Sequence, residues 1–578
     1  MDSMAAMERM TDSAALGALA SEYWDAYLEA YPLNATYLGD SRFDGQLASH
    51  TPEGTSATVA RFTGLLARAS TVDAEALDAE DRITLLALRE SLAADLAELQ
   101  TGLLEWGVNP LEGAPVEFLT IPAFQRLETA EDGRRMISRW REMARYSRDQ
   151  LTTLRRSLAE GRVASVSPIR RTVAVMEELL DAPVETWPLL DPLACLADLP
   201  DWSEDERSRF RDALTAAVTD EIRPAFIELH DALVVEVVPV ARSDDEPGMC
   251  VVPGGADGYR NLIRMYTSLD TDAESLHRIG HAEIERIDHE LVELAARTLG
   301  TTTLPEALAA LRADPALYFA SRAEVFEKAA NSLRRGSEAA PDWFGRLPSV
   351  ACTILEMPAH EEDHAGAAYY RAPAADGSRP GVFVINTSNP AERPRYEAEA
   401  LAYHEAVPGH HLQGALSQEL SDLPQFRRHL GPTAYFEGWG LYAERLADEM
   451  GLYTDDLDRL GMVSFDSWRA ARLVVDTGIH AMGWSRREAV DFMLAHTALS
   501  PRTVGDEVDR YIALPGQALA YKTGQLELIR LREEAHGRMG AAFDIRAFHD
   551  AVLGGGALPL PTLRAVVAEW SSRRLTPA

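Results

Sequence analysis

Strand-forming sequence is confined to one short window of this 578-residue chain, and that restriction limits the fold more than any other feature. SVACTILEM (349–357), GAAYYRA (366–372) and GVFVINT (381–387) are short, rich in β-branched or aromatic residues, and separated by Pro, Gly and Asp. ADGSRPG, between the last two, reads as a turn. On either side the chain reads helical. WSEDERSRFRDALTAAVTDEI opens with Ser203 and Glu206 spaced as a capping box ahead of a periodic run. TDAESLHRIGHAEIERIDHELVELAARTLG repeats the device with Thr271 and Glu274. It keeps Ile284, Ile287, Leu291 and Leu294 at helical spacing and stops at Gly300. The expected fold is mainly α, with a small antiparallel sheet set inside it.

No internal repeat or long Gly/Ser linker divides the chain. The softest boundary, DDEPGMCVVPGGADGY, separates a helical region (1–245) from a chemically richer one (246–578), expected to act as one cooperative unit. The 46% hydrophobic and 25% charged fractions are those of a globular protein. A net charge of −35 with scattered basic residues argues against nucleic acid or an anionic membrane as partner, since both need positive patches. No run of eighteen apolar residues appears, and MDSMAAMERMTDSAALG lacks the basic-then-apolar order of a secretory signal. Cys195, Cys250 and Cys352 are too far apart for a thiolate zinc site and odd in number. A cytoplasmic location is expected.

Two stretches compete as a metal site. HEEDH (360–364) matches H-E-x-x-H by letter, with His360, Glu361 and His364 in the ligand and base positions. It lies between two expected strands, however, with Pro358 before it and Gly366 after, so a solvated polar connection is expected there. PRYEAEALAYHEAVPGHH has the better context. Tyr396, Ala400, Tyr403 and Val407 form one apolar helical face, and Glu397 and Glu399 sit in the first turns, where the helix dipole favours them. His404 and His410 are six apart, which in an unbroken helix means about 9 Å of rise and a 240° offset. His404 and His411 would share a face at about 10.5 Å. Pro408 and Gly409 permit a helix bulge that brings His410 back beside His404, with His411 the alternative ligand. AYFEGWGLYAERLADEM supplies a third ligand in Glu437, with Glu444 one face-repeat later as the group behind a ligand. Glu405, next to His404, is the candidate general base. His277 and His281, one turn apart, have no third ligand and read as a solvated pair.

HEAVPGHHLQ, EGWGLYAE, VDTGIHAMGWS and PGQALAYKTG resemble the bacterial family known as domain of unknown function 885, over roughly 250 to 540. More distantly they are similar to the gluzincin peptidases, typified by angiotensin-converting enzyme, thimet oligopeptidase and thermostable carboxypeptidases. There a Gly-His pair supplies the second ligand, and Gly409–His410 lines up with it. The resemblance implies a two-lobed helical protein with a deep central cleft, one zinc (or another divalent ion), and hydrolysis of amide bonds in short peptides or a peptide-like metabolite. It also implies a downstream Tyr or His that steadies the oxyanion, for which His480, Tyr511 and Tyr521 are candidates. Val384 and Asn386 of GVFVINT, with Gln517 and Arg472, are expected on the substrate side. Two alternatives remain: a metalloenzyme performing non-hydrolytic chemistry on a small natural product, and a non-catalytic binding relative. Glu405 favours hydrolysis, since a binding module needs no general base. No G-x-S-x-G elbow, P-loop or dinucleotide fingerprint is present.

Overall fold

The computed structural model describes residues 2–110, 113–359, 362, 366–373 and 380–573, with side chains from residue 12 onward. Among these the chain is mainly α-helical. The helices begin where capping chemistry places them. Ser203 accepts the Glu206 N–H while the Glu206 carboxylate accepts the Ser203 N–H, closing the expected box. The helix Ala273–Thr298 departs from expectation. Its cap is Asp272, which accepts the Ser275 N–H at 2.6 Å in place of a Thr271–Glu274 pair. A carboxylate one residue nearer the helix satisfies the first free N–H groups directly.

The helix Asp456–Met482 lies at the centre, capped by Asp455 through the N–H groups of Leu457 and Asp458. From Leu460 to His480 every residue except Trp468 is buried, so this helix is core on all sides. Burial is costly for its charged and titratable residues, Asp466, Arg469, Arg472, Asp476 and His480, unless a partner offsets it.

The sheet has three strands: β1 (Cys352–Glu356), β2 (Ala368–Arg371) and β3 (Gly381–Ile385), in the order β1–β3–β2. It is mixed, not antiparallel. β1 runs parallel to β3 with Cys352 opposite Gly381, and β2 runs antiparallel with Ala368 opposite Ile385. All five β3 residues are buried, and an apolar run buried on both faces suits a central strand.

The largest core joins residues from Leu16 to Leu96 with others from Phe319 to Val567. Apolar packing thus crosses the expected boundary at 245. A second core lies between Leu47 and Val237. No described helix is long and apolar enough to cross a membrane. His360, Glu361, Asp363 and His364 of HEEDH, and residues 375–379 of the expected turn, lie outside the described residues.

Candidate metal centre

The histidine segment is a break between two helices, not a bulge within one. The first helix, Ala398–Glu405, ends at Glu405; the second, His410–Glu419, starts after four intervening residues. Pro408 cannot donate to the helical ladder, and the chain turns so tightly that a Cβ on Gly409 would stand 1.9 Å from the His404 carbonyl oxygen. Trp439 donates its indole N–H to the Pro408 carbonyl at 3.0 Å and fastens the turn. The break brings the His404 and His410 rings to 4.7 Å between centroids at an interplanar angle of 85°.

Glu437 comes from the helix Thr433–Glu449. Its Oε2 lies 3.6 Å from His404 Nε2 and 3.7 Å from His410 Nε2. Ligands bound to zinc at about 2.0–2.1 Å in a tetrahedron stand about 3.3–3.5 Å apart, so shifts of a few tenths of an ångström would seat an ion. Among the described residues no other set of three His, Cys, Asp or Glu side chains converges in this way. Glu444, two turns along the same helix, accepts the His404 Nδ1–H at 2.8 Å. That bond fixes the tautomer and aims Nε2 at the cluster. Gly440 sits between the two glutamates, where a Cβ would meet the His404 ring at 2.6–2.9 Å.

Electrostatics follow from this packing. Burial pulls His404 down, but its bonds to Glu437 and Glu444 outweigh burial and hold the imidazole at about 10. Burial pushes Glu437 up, and the two histidines more than reverse it, leaving the carboxyl well below the usual range. Glu405 shows the opposite balance: burial raises it, and the charges of His404 and His410 offset only part of the rise. Its carboxylate accepts a hydrogen bond from the backbone N–H of Tyr370 in β2.

His404, Glu405, His410 and Glu437 line a cavity of about 1050 Å³ together with Tyr369, Tyr370, Arg469, Arg472 and Tyr521. Of the three oxyanion candidates, only Tyr521 lines it. His480 is buried elsewhere, with Nδ1 accepting the Met249 N–H at 3.2 Å and Nε2 facing the Tyr511 carbonyl at 2.9 Å. The Tyr511 hydroxyl is enclosed by Trp468, Arg472 and Glu507. His411 also turns away: its Nδ1 meets the Tyr370 hydroxyl at 3.2 Å, and its Nε2 meets the Val350 carbonyl.

On the expected substrate side, Arg472 and Asn386 line the cavity. Asn386 is occupied in holding the Glu362 and Gly366 carbonyls. Val384 is packed against Met357 and Val382, because β3 is the central strand and not the cavity edge. Gln517 stands behind Tyr521, accepting from Arg510 at 3.0 Å. His277 and His281 touch at 3.1 Å, and His277 also bonds Thr477. Sequence reasoning missed Arg469 and Tyr370. Two arginines three apart in the otherwise apolar run around 469–475 were a readable signal. Tyr370 contributes through its backbone, which leaves no side-chain signature.

Fold and site together define a mainly helical protein with a His/His/Glu centre in a large cavity. Residues 32–567 match the family described as "Bacterial protein of unknown function (DUF885)", and the chain belongs to that family. A solved structure from Colwellia psychrerythraea, provisionally called a lipoprotein, aligns with TM-score 0.89 at 26% identity over 97% of this chain and 99% of its own. One from Shewanella oneidensis, provisionally called a lipoprotein of unknown function, aligns with TM-score 0.73 at 16% identity over 95% and 99%. A Bacillus anthracis protein provisionally called oligoendopeptidase F reaches a TM-score of only 0.28 at 10% identity over 89% and 96%, too slight to bear on function. No curated protein matches the chain.

Proposed function

We propose that the protein is a metal-dependent hydrolase that cleaves amide bonds in short peptides or peptide-like metabolites, with zinc as the ion best suited to its His404, His410 and Glu437 donors. A bound ion would supply Lewis acidity toward an attacking water and a substrate carbonyl. Glu405 takes the proton of that water, and burial, by raising its carboxyl above the usual range, makes it the stronger base. Tyr521 offers a hydroxyl to the oxyanion that develops as the amide is attacked. β2, the strand at the sheet edge on the cavity, offers backbone groups to an extended substrate in place of β3.

The observation that carries this reading is the position of Glu405, next to a ligand histidine, half-buried in the cavity and clear of the three converging donors. Metal analysis followed by a peptide-library digest with and without chelator tests it. In Glu405→Gln the metal should stay while turnover falls roughly 10²–10⁴-fold. Unchanged turnover would remove Glu405 from the mechanism.

The cytoplasmic location is part of the proposal and is supported by three cysteines that form no disulfide. The lipoprotein labels of two similar structures point instead to the envelope, and fractionation of the native cell decides between them. The proposal includes no nucleic-acid or anionic-membrane partner, because the net charge of −35 argues against both.

A further inference from the structure

Arg469 has no conventional partner. The side chain is 6% exposed, yet none of its nitrogens makes a hydrogen bond, and no carboxylate among the described residues forms an ion pair with it. Nε and Nη1 are sealed from solvent, which leaves Nη2 as the nitrogen free to meet a ligand in the cavity that the residue lines. Its guanidinium packs against both Phe465 and Trp468, 4.4 and 4.1 Å from their ring centroids. Arg472, 3% exposed, is held similarly over Tyr521 at 4.4 Å and also keeps one nitrogen, Nη1, unpaired. Arg472 and Arg510 share Glu507, whereas Arg469 pairs with no carboxylate. Glu397, Glu437 and Glu444 are near enough to influence it electrostatically without bonding it.

A buried guanidinium without a hydrogen-bond partner is costly unless something compensates it. Held rigidly at the wall of a cavity, it is built for an anion.

We infer that Arg469, supported by Arg472, binds a carboxylate of the substrate beside the metal centre. This inference rests on the hydrolase reading and narrows it to substrates with a free carboxylate close to the scissile amide. The single accessible nitrogen of Arg469 suits the two oxygens of a carboxylate better than the four of a phosphate dianion.

The test uses benzoylglycine and its amide, benzoylglycinamide, titrated calorimetrically into the zinc-loaded protein. The acid should bind at least 10-fold more tightly than the amide. Arg469→Gln should abolish that difference with zinc content intact, and Arg469→Lys should keep part of it. Melting temperatures of both variants report whether they fold, and Arg469→Met supplies a second neutral variant. Equal binding of acid and amide by the wild type, no binding of either, or a difference that survives in a folded neutral variant overturns the carboxylate site. Displacement of benzoylglycine by inorganic phosphate at lower concentration than by acetate overturns the choice of carboxylate. Because binding is read without turnover, a retained acid preference with no hydrolysis of any peptide would discard the hydrolase reading and leave the anion site standing.

Discussion

Tyr521 and His480, candidates for the same role in the sequence, are placed for opposite ends. The Tyr521 ring faces the cavity beside Glu437, with Gln517 3.4 Å from its hydroxyl. Tyr521→Phe should lower the catalytic rate roughly 10–10³-fold with metal content and melting temperature nearly unchanged, as expected for one lost oxyanion donor. A Phe variant with full activity would assign the donor elsewhere. His480 instead spends both ring nitrogens on the backbone of distant segments. Its sequence gave no means of telling it from a functional histidine, because a core histidine satisfied by carbonyl and N–H groups has the same neighbours in sequence. The ligand pair was more legible. Pro408–Gly409 announced a backbone irregularity between two histidines, and only an irregularity could reconcile their spacing with one ion.

At the scale of elements, the helix carrying Glu437 does two jobs through its glycines. Gly440 makes room for the His404 ring, and Gly438 lets the backbone of Gly524 approach, where a Cβ would stand 2.4 Å from the Gly524 Cα. The two substitutions should therefore separate. Gly438→Ala should destabilise the protein by about 1–3 kcal/mol through overpacking, leaving metal affinity per folded molecule intact. Gly440→Ala should push the ring off its bond with Glu444 and weaken metal binding by about 10–100-fold. Competition with a chromophoric chelator, alongside thermal melts, reads both. Equal metal affinity in Gly440→Ala and wild type would mean that Gly440 does not set the ring's position. Helix caps and periods made most elements readable from sequence. The order of the strands was not, since an all-apolar β3 announces burial on both faces but not the direction of its neighbours. The helix break at 406–409 was likewise hidden, because Pro-Gly allows a bulge and a break equally.

Across the whole molecule, buried titratable groups set two opposing responses to pH. His549 joins three segments, with Nδ1 on the Trp343 carbonyl at 2.8 Å and Nε2 facing the Tyr442 hydroxyl at 2.9 Å. Burial pulls His480 and His549 down to about 3. Their contribution is complete above the unfolded value of about 6.5 and is lost as pH falls from there toward 3, by about 2 kcal/mol each at pH 5.

Asp476 moves the other way. Burial raises it to about 7, despite the Tyr259 hydroxyl at 2.5 Å and the Gly516 N–H at 3.1 Å. Its protonated form is favoured in the folded state, so its contribution is complete below about 3.9 and is lost as pH rises through 7. Glu397 and Asp95, also raised to about 7 by burial, share that sign. Between pH 4 and 6.5 the two groups of residues oppose each other, and the wild-type stability should change less than either set alone would dictate. Single variants expose the hidden slopes. The stability lost in His549→Gln should be greatest near pH 7 and shrink as pH falls toward 5, whereas Asp476→Asn should gain on the wild type as pH rises from 4 to 7. Urea melts at pH 4.5, 5.5, 6.5 and 7.5 give both differences. Parallel profiles for wild type and variants would show that neither side chain changes its proton affinity on folding.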